Sequence, residues 1–247
     1  MKKIFIILLF FSTVSHGIVN IEKVRKKDFK DGWKLQSSFN FTHLSGNSES
    51  KTYEGEGRLD YKKDSSKLLF LGELEQAKAN GKNYKNSGSF HTRFTEKIGS
   101  FYATETFAQT EFNDFIYLEE RNLIGAGLRF TFFETPTFNL HLGNGFFYEK
   151  ESHEEDFYNT EIIRSSNYLS FRYDKKKRFY IASTSYYQVD SGRADDYRIL
   201  VNATLGFHLA DNMSLDFIVD YRYDNEPVLH SLDRQDLEIK NGITISF

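Results

Sequence analysis

The sequence predicts an all-β fold: a transmembrane, antiparallel, up-and-down β-barrel of about twelve strands. Three observations carry that prediction. From about residue 32 onward, apolar and polar residues alternate with period two in segment after segment, the pattern of strands with one apolar and one polar face. The composition is 27% charged and 17% aromatic, with 25 Phe, 15 Tyr and two Pro, and the mean hydropathy is −0.54. It leaves no segment beyond the first residues apolar enough for a spanning helix, whereas a barrel satisfies its backbone in lipid with only alternate residues apolar. The last strand, Lys240, Asn241, Gly242, Ile243, Thr244, Ile245, Ser246, Phe247, alternates up to a terminal aromatic residue.

At the start of the chain, Lys2 and Lys3 precede an apolar run over residues 4–11, with the small Ser15 and Gly17 after it. This is the plan of a secretory signal peptide, expected at 1–17 with cleavage after Gly17. The apolar run is too short for a membrane anchor, which needs about 20 residues. Residues 18–31 then form a Lys-rich lead on the periplasmic side, and 32–247 form the barrel. With no Cys, the chain has no lipid attachment site and no disulfide staple, and it carries a net charge of −3. That balance gives no basic patch for nucleic acid.

The first strand sets Trp33, Leu35, Phe39 and Phe41 against Lys34, Gln36, Ser38, Asn40 and Thr42. Strands follow at 50–62, 67–79, 86–97, 101–112, 120–133, 138–151, 160–173 and 179–190. The alternation is least regular at 67–79 and 101–112. It is clearest at 197–209, where Tyr197, Ile199, Val201, Ala203, Leu205, Phe207 and Leu209 oppose Arg198, Asn202, Thr204, Gly206 and His208. Met213, Leu215, Phe217, Val219, Tyr221 and Tyr223 continue the apolar face in the next strand, and Leu237, Ile239, Ile243, Ile245 and Phe247 in the last. An even strand count suits a closed antiparallel barrel.

Connections alternate in length. Those at 63–66, 98–100, 134–137, 174–178 and 210–212 are tight, and those at 79–85, 113–119, 152–159, 191–196 and 225–234 are generally longer. Periplasmic turns and extracellular loops alternate in this way, which puts both termini in the periplasm. Tyr148, Tyr187, Tyr197 and Tyr223 fall near the loop ends, and Trp33, Phe101, Phe138, Phe179 and Phe247 near the turn ends, as two interfacial belts would. A periplasmic β-sandwich also fits alternation alone; the two chain ends break the tie in favour of a barrel. The order polar, any, Gly, any, any, apolar, any, aromatic resembles the terminal signature read by the outer-membrane barrel assembly machinery, here on Gly242, Ile245 and Phe247.

Several local sequences resemble one bacterial family. Gly32 and Trp33, the turn from Leu44 through Ser45, Gly46 and Asn47 to Ser48, and Leu59, Asp60, Tyr61 match its first hairpin. Gly125, Gly127 and Leu128, then Glu134, Thr135, Pro136 and Thr137, then Leu140, Leu142, Gly143 and Gly145 match its central hairpin. Asp195, Asp196, Tyr197 and Arg198, with Tyr221, Arg222, Tyr223, Asp224 and Pro227, match its last strands. On these residues the chain is similar to the salt-induced outer membrane proteins grouped as domain of unknown function 481. The resemblance runs from about 32 to 247, while the Lys-rich stretch at 22–30 has no counterpart. It implies a Gram-negative outer-membrane barrel and brings no defined reaction.

Candidate chemistry is sparse. His43 and Ser45, with Asn47 near, have the spacing of outer-membrane phospholipases, but lie in a Gly-containing turn without that class's flanking residues. His153 with Glu154, Glu155 and Asp156, and His230 with Asp233, could supply a protease-like rim; the bland reading is solvated loop tips. The same acidic loop could hold a divalent cation or bridge lipopolysaccharide, without a cage spacing to support it. No His or Cys spacing suits zinc, and the paired glycines are small residues within strands rather than a phosphate loop. No cofactor is expected.

The inward faces collect charges of both signs. The candidate pore-lining set is Glu56, Arg58, Glu73, Arg93, Arg129, Arg164, Arg172, Arg198, Asp220, Arg222 and Lys240, with Glu54, Asp60, Glu75, Glu149, Asp216 and Glu238 on the same faces. Paired across the interior they would form a polar plug; lining water they would select ions. A twelve-stranded barrel leaves roughly 10 Å between short opposing side chains, so long Arg and Glu side chains favour a narrow or closed interior. The expected function is non-enzymatic: envelope integrity, or passage of small ions and solutes. The expected partners are outer-membrane lipid, lipopolysaccharide and the assembly machinery. A hydrolase at the lipid face or loop rim, and a surface adhesion or scaffold protein, are the competing classes.

Overall fold

The computed structural model describes residues 30–45, 49–79, 82–153, 159–175, 178–210, 213–227 and 233–245. The expected signal peptide and most of the lead lie outside the described residues, as do Ser246 and Phe247. Among the described residues, twelve strands follow one another: β1 (Gly32–Leu44), β2 (Ser50–Lys63), β3 (Ser66–Ala79), β4 (Lys82–Ile98), β5 (Tyr102–Asn113), β6 (Leu118–Glu134), β7 (Phe138–His153), β8 (Thr160–Lys175), β9 (Phe179–Asp190), β10 (Tyr197–Ala210), β11 (Met213–Asp224) and β12 (Gln235–Ile245). Each pairs with the next in one sheet of order β1 to β12. The ladders are antiparallel throughout, so the meander needs only hairpins and no crossover.

The sheet curls. Arg198 on β10 reaches Glu149 on β7 at 3.0 Å, and the Tyr168 hydroxyl on β8 donates to Glu105 on β5 at 3.3 Å. Strands three apart can touch only across a concave interior. Among the described residues no ladder joins β1 to β12, so these two strands stand as the sheet's edges where the sequence leads one to expect a closed ring.

Period two decides which side chains face the concavity. On β10 the even positions Arg198, Asn202 and Gly206 are buried, and on β7 the odd positions from Gly143 to His153 are buried or half-buried. The irregular alternation at β3 and β5 has a physical cause. Leu71 and Ala77 on β3 and Ala103 on β5 are apolar yet buried on the inward face, and Phe107 on β5 stacks inward against His91 at 5.7 Å. Apolar side chains at several heights inside the curl interrupt the polar period there.

Glycines make room for the rings inside the curl. A Cβ at Gly125 would come within 2.6 Å of the Phe107 ring, and one at Gly143 would overlap the Tyr168 ring of the neighbouring strand. At Gly127 the obstruction is the backbone itself, with the Asn144 carbonyl oxygen 2.7 Å from the would-be Cβ. Gly127 and Gly145 sit opposite one another in the β6–β7 ladder, so two backbones approach where no side chain intervenes.

Candidate functional site

The outward face is apolar. Leu35 is 73% exposed and Phe39 72%, and Trp33, Leu74, Ile124, Phe146, Ile239 and Ile243 are exposed as well. Rings gather on this face at one end, where the exposed Tyr187 lies 5.9 Å from the half-buried Tyr197 and Tyr197 lies 5.8 Å from Tyr223. At the other end Phe101 packs on Phe132 at 5.7 Å and Phe133 on Phe138 at 5.6 Å. Tyr187, Tyr197 and Tyr223 at the one end and Phe101 and Phe138 at the other were anticipated from the sequence; Phe132 and Phe133 were not.

The inward face divides into three levels along the strands. At the loop end lies a buried ion layer. The Arg121 guanidinium bonds Glu111 at 2.5 Å and Glu151 at 2.6 Å. Arg164 bonds Glu149 at 2.9 Å and Asp196 at 2.7 Å. Arg198 bonds Asp224 at 2.8 Å, Glu149 at 3.0 Å and Glu151 at 3.2 Å. Glu149 is 0% exposed and Arg164 2%. Arg222 is half-buried on β11, within electrostatic reach of Arg121, Arg198 and Asp224. The layer ties β5, β6, β7, β8, β10 and β11 together with the β9–β10 connection. Charges this deep persist only when they are paired, and here Arg121, Arg164, Arg198, Glu149 and Glu151 each meet two or more opposite charges.

The middle level mixes rings with polar chains. Arg129 donates to the Tyr168 hydroxyl at 3.0 Å, Tyr168 donates to Glu105, and Arg93 bonds the same carboxylate at 3.2 Å. Gln109 donates through Nε2 to Glu111 at 2.9 Å. Its Oε1, 2.9 Å from His91 Nδ1, is therefore the acceptor, which places the His91 proton on Nδ1.

The turn end is open. A cavity of about 850 Å³ lies there, with Lys67, Lys97, Arg129, Arg172, His141 and Tyr180 among its lining. Arg172 lies over the Tyr180 ring at 4.2 Å and bonds Asp174 at 3.0 Å.

The predicted inward residues distribute over these levels. Arg164 and Arg198 belong to the ion layer, Arg93 and Arg129 to the middle, Arg172 to the cavity. Arg58 is bound to Asp60 on its own strand at 2.5 Å. Glu73 stands opposite Glu56, and Glu75 opposite Glu54, in the β2–β3 ladder, with Lys85 on Glu75 at 2.6 Å. This arc is more open, and Glu56 is exposed. Asp220 accepts from Asn202 across β10 and β11. The backbone of Lys240 pairs with Ile218, Gly242 with Asp216 and Ile245 with Met213; the side chains of Lys240 and Ile245, and all of Phe247, lie outside the described residues.

Five charged members of the networks escaped the sequence reading: Glu105, Glu111, Arg121, Glu151 and Asp196. The signal for two of them was present, since Glu105, Gln109, Glu111 and Asn113 keep a strict period of two that Phe107 alone interrupts. Asp196 sits in a connection, where strand periodicity has nothing to say. His153, read as a rim group, is instead buried at the end of β7, its Nδ1 3.2 Å from the Tyr117 carbonyl oxygen and its Nε2 3.5 Å from Glu151. Glu154, Glu155, Asp156 and His230 lie outside the described residues, as does Asn47. His43 is exposed on β1 beside Phe41.

Among solved structures, the NanC porin in a rhombohedral crystal form is similar over 87% of this chain and 99% of its own, at 10% identity and a TM-score of 0.49. A bacterial polysaccharide outer membrane secretin is similar over 87% and 91%, at 8% identity and a TM-score of 0.49. The KdgM porin is similar over 87% and 98%, at 13% identity and a TM-score of 0.43. No curated protein matches the sequence. The profile of the family described as a protein of unknown function, DUF481, matches residues 38–247, and the chain belongs to that family.

Proposed function

We propose that the protein is a non-enzymatic, integral outer-membrane β-barrel of the salt-induced type that contributes to envelope integrity, its interior occluded at the loop end by the arginine–carboxylate layer. One observation carries this reading: burial is inverted. Glu149, Arg164 and Arg198 are among the most buried side chains, while Leu35, Phe39 and Ile239 are among the most exposed. In water that arrangement would leave a large apolar surface uncovered; in a bilayer each face meets its own solvent. Lipid and lipopolysaccharide then cover the apolar belt, the tight turns and both termini face the periplasm, residues 1–17 are removed on export, and the assembly machinery reads Gly242, Ile245 and Phe247.

Passage of small solutes is the second reading, favoured by the turn-end cavity of about 850 Å³. Planar-bilayer recording of the refolded protein at several salt concentrations separates the two. The envelope reading expects silence or rare brief openings, and steady stepwise conductance overturns it in favour of passage. The membrane reading itself is tested by Ile124→Arg on the outward face of β6, which should cost about 2–4 kcal/mol in lipid vesicles near the bilayer midplane. A neutral effect there would contradict insertion.

A further inference from the structure

The apolar outward face is interrupted on β7 and β8. Period two turns Leu142, Asn144 and Phe146 of β7 outward, between the buried Gly143 and Phe147, and Ile163, Ser165, Asn167 and Leu169 of β8 outward around the buried Arg164 and Tyr168. Asn144 and Asn167 stand opposite one another in the ladder. Around the two amides lie Leu128, Leu142, Phe146, Ile163 and Leu169, all exposed, so the pair sits within the apolar belt. A polar side chain turned toward hydrocarbon meets no hydrogen-bonding solvent, and in membrane proteins such groups are ordinarily covered by protein and bond across the contact. Asn241, an exposed amide on β12, has Phe217 opposite it and no amide neighbour in its ladder.

The pair answers only part of its own demand. Asn144 Nδ2 donates to Asn167 Oδ1 at 2.5 Å, and Asn167 Nδ2 donates to Ser165 Oγ at 3.1 Å. Among the described residues Asn144 therefore retains its carbonyl oxygen and its second amide proton, an acceptor and a donor on one planar group. Such a group is complementary to itself: two primary amides facing each other exchange two N–H to O bonds. A twofold axis brings identical residues together in this way, which is the pattern of an isologous contact. Lipid tails have nothing to offer an amide. The half-buried Ser165 on β8 and Ser183 and Ser185 on β9 extend the polar stretch with small side chains, which let another backbone approach closely.

We propose that the outward face of β7 and β8 at Asn144 is a lateral contact between two copies of this chain, related by a twofold axis along the bilayer normal. The two Asn144 amides bond each other across the axis, and Asn167 holds each one in place. The inference rests on insertion in lipid, because in water both amides would be solvated and would need no partner.

The test is energy transfer between two labelled populations of the full refolded chain in phosphatidylcholine vesicles. The sequence has no Cys, so Ser191→Cys, in the exposed β9–β10 connection, takes a donor dye in one population and an acceptor dye in the other. At a low protein-to-lipid ratio, transfer should exceed the level of randomly placed labels, and excess unlabelled chain should abolish that excess. Unlabelled Asn144→Leu should compete about tenfold less well, the scale of two hydrogen bonds lost between chains in lipid, and Asn167→Leu should also compete less well. Thr106→Val, on the outward face of β5, should compete as fully as the unsubstituted chain. Were the amides there only to bond each other within one chain, the leucine variants would compete fully. Heat-modifiable gel mobility and resistance to alkaline extraction, measured on the same vesicles, report folding and insertion, so a failure of the membrane reading is seen separately from a failure to associate. Transfer at the random level from inserted chain, or full competition by inserted Asn144→Leu, would overturn the proposal.

Discussion

The two ends of the interior use the same residue types on the same strand faces to opposite effect. At the loop end, Arg121, Arg164 and Arg198 are each bound to two or more carboxylates and sealed from solvent. At the turn end, Arg172 and Lys97 are partly exposed and each faces one carboxylate at the rim of an open cavity. Between them the rings of Phe107, Phe147, Tyr168 and Tyr186 form a partition. An inward-facing charge is thus neither structural nor functional by virtue of its face. Its partners and its exposure decide, because a buried guanidinium must be neutralised locally whereas a hydrated one remains available to a ligand.

The largest effect should come from removing the hub of the sealed end. Glu149 is bonded by both Arg164 and Arg198, from β8 and β10. Glu149→Ala leaves two buried guanidinium groups each short of a carboxylate, and the expected loss is about 3–5 kcal/mol, read as a lower urea midpoint for unfolding in vesicles. The same variant should convert a silent bilayer into one with openings. Unchanged stability together with unchanged silence would mean that the layer neither holds the sheet nor blocks it.

Much of this division was out of reach of the sequence, and the reason is geometric. Period two assigns a face, and it did so well enough to place a strand at 179–190, where the structure has Phe179–Asp190, and another at 138–151, where it has Phe138–His153. The family resemblance also holds, carried by the order of short motifs along nearly the whole barrel region. Alternation is blind, however, to height along the strand and to which side chains meet across the curl. Arg198 and Glu149 lie 49 residues apart and on strands that are not neighbours, so no local pattern pairs them. Nor does a one-dimensional period separate Arg172 at the open end from Arg164 at the sealed one, although they share the inward face of β8 and stand only eight residues apart. Connections hide more, as Asp196 and the unexpectedly buried His153 illustrate.

A second, smaller effect sharpens the comparison at the partition. Gly127→Ala would press a methyl group against the Asn144 carbonyl and Gly145, both backbone, on the neighbouring β7. Backbone cannot swing aside as a side chain can, so the expected cost is about 1–3 kcal/mol. Gly57→Ala on the open β2 arc provides the control, since a Cβ there meets nothing within 4 Å; it should change stability by less than about 0.5 kcal/mol. If the two variants unfold at the same urea concentration, the middle of the interior is no more tightly packed than the open arc.

The smallest effect on stability belongs to the turn end, and it is the most telling. Arg172→Gln removes a cation whose partner Asp174 is part-exposed and whose ring contact is with Tyr180. Ion pairs in contact with water contribute about 0–1 kcal/mol, so the urea midpoint should move little. Arg164→Gln, on the same strand and face, should be several times more damaging because it strips a buried Glu149 and the buried Asp196 of a donor. Measuring the pair in one vesicle preparation cancels the contributions of lipid and strand propensity. What remains is the difference between a charge committed to other charges and one held open to solvent. Equal losses would erase the distinction between the two ends; a large loss at Arg164 beside a near-neutral Arg172 would leave the turn-end guanidinium without a stability role.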